Sequence, residues 1–350
     1  MRTLDTDICT IRSHNALTGE ITCVENLQGF HFGDELSTED SYGVDMRGEV
    51  ALLARNIEIT ASQHDISHTA REPWGCRILV SDFFENNLEM TLRAGVLQMD
   101  NVSVYKCSQK FTWKSAIKFE NAIMGGTSAM MAMKRSLQSF TTPGSMISNS
   151  AIHQGQGPGI IISKSANVVL ANNVVADFAE HGIWVQNSQS IEIDGNWVFN
   201  VIENAGKEPK MLEYFGWKGG FTLSEFNKNM KVTDNIVAGT WHHGFHIVPM
   251  KCSNDDGNFI FRRNLAHSIS GYGVIGKNVA NDCTKIQNFS AYKVTEAAIM
   301  LGGPSGTNRG KNIQAIDTRY GIGVFSGGGG DAEIINSQVY GELTDNMDCP

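Results

Sequence analysis

Apolar residues in this chain come in short runs of about three to five, rich in Val, Ile and Phe and closed by Asn, Gly, Asp or Ser. One recurring run ends on Asn, as in Met146-Ile-Ser-Asn149, Ile193-Asp-Gly-Asn196, Val232-Thr-Asp-Asn235 and Phe261-Arg-Arg-Asn264. A second starts on Gly, as in Gly159-Ile-Ile-Ile, Gly182-Ile-Trp-Val, Gly220-Phe-Thr-Leu and Gly244-Phe-His-Ile. The two alternate, and Asn149, Asn173 and Asn196, like Asn264 and Asn288, lie about 23 to 24 residues apart, within the range of a solenoid repeat. A helical solenoid would show apolar residues at three- and four-residue spacing over ten or more positions, and a propeller blade would need four strands. Short β-branched runs at this period predict an all-β fold, a right-handed parallel β-helix whose coils stack about 4.8 Å apart. Asn suits the bends because it tolerates the left-handed conformation and its stacked amides can bond along the ladder. Pro is scarce because each strand must donate to its neighbour.

The regular coils run from about 145 to 340, and weaker strand signals at Glu49–Thr60, Arg77–Val80 and Gly95–Tyr105 extend the β-helix over 45–345. Residues 1–44 read as the remnant of an upstream β module and linker. Two coils carry loop insertions, 201–217 with Tyr214, Phe215 and Trp217, and about 249–258 with Cys252, Asp255 and Asp256. Insertions from a solenoid commonly form its binding surface.

Composition narrows the function classes. A net charge of -9 argues against nucleic acid as partner, and no apolar run of about 18 residues inserts this segment into a membrane. With Gly 36 and Pro 7, many tight bends are expected rather than rigid linkers. Seven cysteines without a CxxC pair exclude a zinc ribbon and fit either free buried thiols or a few long-range disulfides. Sequons for N-glycosylation stand at Asn101 and Asn288.

The segment Gly43-Val-Asp-Met-Arg-Gly-Glu-Val-Ala-Leu-Leu-Ala-Arg-Asn-Ile57 resembles the link between a β module and the β-helix in the fibrocystin and fibrocystin-L family and its hyaluronan-degrading cell-surface relatives. Trp74-Gly75, Ser150-Ala-Ile-His153, the run from Asn235 to His246, Cys252-Ser253 and Asn264-Leu-Ala-His267 follow in the same order, so the resemblance covers roughly 20–345. It implies PbH1-type coils in a cell-surface, membrane-anchored parent glycoprotein, of which this chain would be a fragment. In the oxidising compartment so implied, Cys252 and Cys283 on adjacent coils are the first pair to bridge, with Cys76 and Cys107 the second. The degrading relatives typically carry a His-containing strand where this chain reads Ser115-Ala-Ile-Lys-Phe-Glu120, and Lys118 and Glu120 supply no neutral imidazole near pH 7.

Candidate chemistry is therefore sparse. Asp194, His242 and His246 are the catalytic candidates, the two histidines sharing one strand face and His181 matching His243 two coils earlier. Asp177 with Asp194, or Asp255 and Asp256 near Arg262 and Arg263, would suit Ca²⁺ or a sugar; Tyr214 and Trp217 would stack on a sugar ring. No other cofactor and no metal centre is expected. The sequence reads as a non-catalytic extracellular scaffold with a recognition or adhesion surface for carbohydrate or an extracellular protein. The alternative is a polysaccharide-active enzyme, hyaluronidase- or lyase-like, with a groove near 201–217.

Overall fold

The structure, a computed structural model, describes residues 7–29, 31, 33, 42–61, 75–85, 92–110, 112–122, 144–202, 218–224, 227–248, 250–251, 259–277, 282–303, 306–327 and 330–341. The chain divides into two units, Met1–Leu52 and Leu53–Pro350. In the first, Ile11–His14 and Ile21–Cys23 form an antiparallel hairpin, and a disulfide joins Cys9 to Cys23. Asp7 accepts hydrogen bonds from the backbone N–H groups of Gln28 and Gly29, which hold its carboxyl below the usual range.

The second unit is a right-handed parallel β-helix with three strands per coil. On the first face Ser145–Ser148, Ala166–Ala171, Gln189–Asp194, Lys228–Thr233 and Phe259–Arg262 stack in parallel. On the second the order is Val102–Tyr105, Ala151–His153, Val174–Ala179, Trp197–Ile202, Ile236–Thr240 and Leu265–Ile269. On the third it is Ile117–Glu120, Ile160–Ser163, His181–Gln186, Gly219–Leu223, His243–Ile247, Val274–Lys277 and Ile299–Gly302. Asp282–Val294 and Thr307–Thr318 run through the first bend without a break and pair along their length. The upstream sequence signals shrink: Ile57–Thr60 is a strand, whereas Glu49 to Asn56 is not. That stretch lies exposed, Val50 at 82%, and gains no apolar burial to fix it in a ladder.

The faces send apolar columns inward, two of them from the third face, where Phe119, Ile162, Val185, Leu223 and Ile247 form the second. Ile117, Ile160, Ile183, Phe221, Phe245, Val274 and Ile299 stack in register on the third face, all fully buried. Opposite them run Val104, Ile152, Val175, Val198, Val237, Ala266 and Ala291. Phe221 stacks on Phe245 at 4.7 Å between centroids, and Phe245 meets Phe289 edge-on at 6.1 Å, so aromatic rings fill the middle of these coils.

The bends are made by residues other than those composition suggested. Left-handed backbone at the first bend falls on Asn149, Asn172, Gly195, Asp234, Arg263, Asn288, Asn312 and Asn336. Glycine mostly serves close approach instead. A Cβ at Gly182 would strike Val198 Cγ1, and one at Gly220 would strike Val237 Cγ2, so these two third-face glycines make room for the second face. After Asn172, Gly195, Asp234 and Arg263 comes a buried Asn, and these four build a separate ladder. The backbone N–H groups of Ser150, Asn173, Asn196 and Asn235 donate to the Oδ1 atoms of Asn173, Asn196, Asn235 and Asn264 at 2.9–3.1 Å.

Candidate functional site

The coil register gathers the densest set of buried titratable groups at the start of the third face. His181, Gly219 and His243 stack in one column. The backbone N–H of Gly219 donates to the Glu180 carbonyl, and that of His243 to the Lys218 carbonyl, so Glu180, Lys218 and His242 occupy the adjacent positions. Trp184, Thr222 and His246 form a third column on the same strands. His242 itself stands in the bend before His243–Ile247, not on the strand, which corrects the expected strand pair with His246. The Thr240 hydroxyl donates to the His243 carbonyl at 3.1 Å and closes that turn.

Side-chain contacts tie these columns together. His181 Nδ1 lies 2.9 Å from Thr222 Oγ1. The His181 ring stacks on Trp184 at 4.8 Å between centroids, and Trp113 lies 5.1 Å from Trp184 on the other side. Trp184 Nε1 donates to Ser224 Oγ at 2.7 Å. Lys218 Nζ and Glu180 Oε1 are 3.8 Å apart with side chains 9% and 4% exposed. Burial pushes His181 down to about 3, with the Lys218 cation, and His246 and His242 in their protonated forms, adding to the effect. Burial likewise lowers His246 to about 3, with His243 contributing, and His243 to about 4, with His242 contributing. The imidazoles of His181, His243 and His246 are therefore neutral near pH 7.

Neutral imidazoles can ligate a metal or accept a proton, but both uses need room. The cavity beside His181, Trp184, Trp113, Glu180 and Lys218 measures about 10 Å³, enough for one water and no sugar ring. Among the described residues no group of three or more His, Cys, Asp or Glu side chains is placed to hold a metal ion. Glu180, Lys218, Trp113, Trp184 and Thr222 were not singled out from the sequence. The signal available was their register with His181 and His243.

The remaining candidates sit apart. Asp194 is on the first face, bonded to the Thr233 hydroxyl one coil on, beside the Glu192–Lys231 pair. Arg263 Nε donates to Asp234 Oδ1 at 2.6 Å, so neighbouring coils neutralise each other's charges. Asp177 lies beyond the Asn172 bend in a different column, where Asn200 Nδ2 donates to it at 2.5 Å and burial raises its carboxyl. Lys118 and Glu120 pair at 2.8 Å on the strand where the family resemblance expects histidines. Asn101 and Asn288 are exposed at the first bend with φ of 56° and 49°. Cys76 and Cys107 are bonded across adjacent coils, and Cys283 is disulfide-bonded. Cys252, Asp255, Asp256, Tyr214, Phe215 and Trp217 lie outside the described residues.

A family description for a right-handed β-helix region matches residues 93–251. Mouse fibrocystin is 27% identical over 330 residues, and dog fibrocystin 28% over 319. Each alignment covers 91% of this chain and 7% of the relative, so the chain spans about a fourteenth of the curated proteins it matches. Among solved structures, the periplasmic alginate epimerase AlgG is similar at 11% identity over 75% of this chain and 67% of that one, with a TM-score of 0.38. A GH87 alpha-1,3-glucanase catalytic domain in complex with nigerose is similar at 11% identity over 76% and 60%, with a TM-score of 0.33. PfbA, a surface adhesin of Streptococcus pneumoniae, is similar at 12% identity over 73% and 64%, with a TM-score of 0.26. Scores this low carry no argument about chemistry here. The coil register and the matched region make the chain a right-handed parallel β-helix protein, similar to fibrocystin over most of its length.

Proposed function

We propose that the chain is a non-catalytic segment of a cell-surface protein, a rigid rod that spaces its neighbours and offers a recognition surface. The observation that carries this reading is how its reactive side chains are used. Asp194, Glu192, Asp234 and Asp100 are bonded to neighbouring coils, the cavity beside His181 measures about 10 Å³, and His246 is buried. Charged groups spent on ladder pairing, and imidazoles without room for a sugar, suit a scaffold better than a glycan-cleaving site. An extracellular setting is supported by the cysteines, since all five among the described residues are disulfide-bonded, as expected of an oxidising compartment. The likeness to fibrocystin supports the same placement. The test is incubation of the full chain with a glycan panel including hyaluronan, with and without Ca²⁺, followed by size-exclusion chromatography. Polymer length is expected to stay unchanged. Shortening that Asp194→Ala or His246→Ala abolishes would establish the polysaccharide-active alternative and overturn this reading.

A further inference from the structure

Two columns flanking the first bend change chemistry at the same coil. The outward column of the second face runs Val174, Trp197, Ile236 and Leu265, then becomes Ser290, Gln314 and Gln338. The left-handed column at the bend runs Asn149, Asn172, Gly195, Asp234 and Arg263, then returns to Asn at Asn288, Asn312 and Asn336. Coil formation does not demand carboxamides in both columns at once, because Gly195, Asp234 and Arg263 bend, and Trp197, Ile236 and Leu265 stack, at the same positions. The six uncharged residues line an open groove of about 350 Å³. The nearest charged neighbour in sequence, Lys311, stands on the far side of the bend on the first face.

Bonds within the groove hold its amides in a row. Asn312 Nδ2 donates to Asn288 Oδ1 at 2.7 Å, Ser290 Oγ donates to Gln314 Oε1 at 2.9 Å, and the Tyr340 hydroxyl donates to Gln338 Oε1 at 2.9 Å. A carboxamide has two donor hydrogens and an acceptor oxygen, so Asn312, Asn336 and Gln338 keep bonding capacity beyond these contacts. The set repeats every coil, about 4.8 Å, along the rod axis. Paired donors and acceptors in a regular row match hydroxyl groups, which also donate and accept, and the lack of charge disfavours ions and acidic polymers. The apolar strip continuing through Leu265 to Trp197 offers a surface for the faces of sugar rings.

We propose that this groove binds an uncharged polysaccharide laid along the rod, hydroxyls on the carboxamide row and ring faces on the strip from Leu265 to Trp197. The proposal rests on the recognition-surface reading above and gives it a ligand class. Asn288 is both a sequon and a lining residue of the groove, its Oδ1 accepting from Asn312, so the groove is tested on chain that carries no N-glycan.

The test uses the full chain, produced without N-glycosylation, in native gels containing laminarin, yeast mannan or dextran, with hyaluronan as the charged comparator. At least one neutral polymer is expected to retard the chain, and hyaluronan is not. The double variant Gln314→Ala/Gln338→Ala is expected to weaken retardation about tenfold, the loss of roughly two hydrogen bonds, with an unchanged unfolding midpoint. Glu192→Gln, on another face, is expected to bind as the parent does. The proposal falls if no neutral polymer retards the chain, if hyaluronan is preferred, or if the double variant binds like the parent. Polymer shortening with retardation intact would overturn the non-catalytic reading and leave the groove standing.

Discussion

Asn172 and Asn173 are chain neighbours of one residue type with opposite duties, and replacing each by Ala separates them. Asn173 is 1% exposed. Its Oδ1 accepts from the Ser150 N–H at 3.0 Å, and its Nδ2 donates to the Ile147 carbonyl at 2.8 Å and to Asn196 Oδ1 at 2.9 Å. Asn173→Ala orphans the Ser150 N–H at about 2 kcal/mol and deprives the Ile147 carbonyl of a donor at about 1, so the expected loss is about 3 kcal/mol. Against a total stability of about 5–15 kcal/mol this is a large fraction. Asn172 is exposed with φ of 54°, and its replacement by Ala adds only the left-handed penalty of about 1 kcal/mol. Asn172→Gly removes that penalty and is expected to be nearly neutral. Urea unfolding followed by circular dichroism measures the losses, and hydrogen exchange at the Ser150 amide reads the local one directly. If Asn173→Ala cost no more than Asn172→Ala, or left Ser150 exchange unchanged, the ladder would be no more than a by-product of stacking.

Acid should destabilise the rod well above the carboxylate range. His181, His243 and His246 titrate at about 3 to 4 when folded and near 6.5 when unfolded. The unfolded chain thus binds more protons below pH 6.5, and each histidine removes up to about 1.4 kcal/mol per pH unit as pH falls from about 6 to 4. Asp177, raised by burial, opposes this over its own titration. The urea midpoint is expected to drop between pH 7 and pH 5, less steeply in His181→Gln; equal midpoints at the two pH values would refute the neutral assignment. Non-reducing peptide mapping is expected to return Cys9–Cys23 and Cys76–Cys107, with Cys283 joined to Cys252, since Met250 and Cys283 are backbone-paired. Closing the 31-residue separation between Cys76 and Cys107 is worth about 3 to 4 kcal/mol, so Cys107→Ser should lower the midpoint accordingly. A free Cys283 thiol in the native chain would contradict that map.

The rod was legible because every coil solves the same problem with the same residues. A bend needs left-handed backbone, a ladder needs a side chain that both donates and accepts, and an inward strand position needs a compact apolar group. Counting Asn at 23 to 24 residues therefore found the coils, but it could not tell Asn172, which bends, from Asn173, which bonds, because both needs fall on one residue type. Glycine misled for the reverse reason. Its value at Gly182 and Gly220 is the missing Cβ opposite Val198 and Val237, a contact between faces that no local pattern encodes.

The register of His181 with His243 was legible, but the residues that meet the histidines were hidden by arithmetic. His181 meets Thr222 at a separation of 41, well beyond one coil period, because the insertion over 201–217 falls between them, so periodic counting pairs neither them nor Glu180 with Lys218. A solenoid repeats its structural columns, and its function is written where a column departs from its own pattern. By that criterion the cluster at His181 is a departure the fold has closed over, while the change from Leu265 to Ser290, Gln314 and Gln338 is one it leaves open to solvent. On the proposed reading, recognition belongs on the amide row of the last described coils rather than at the histidines.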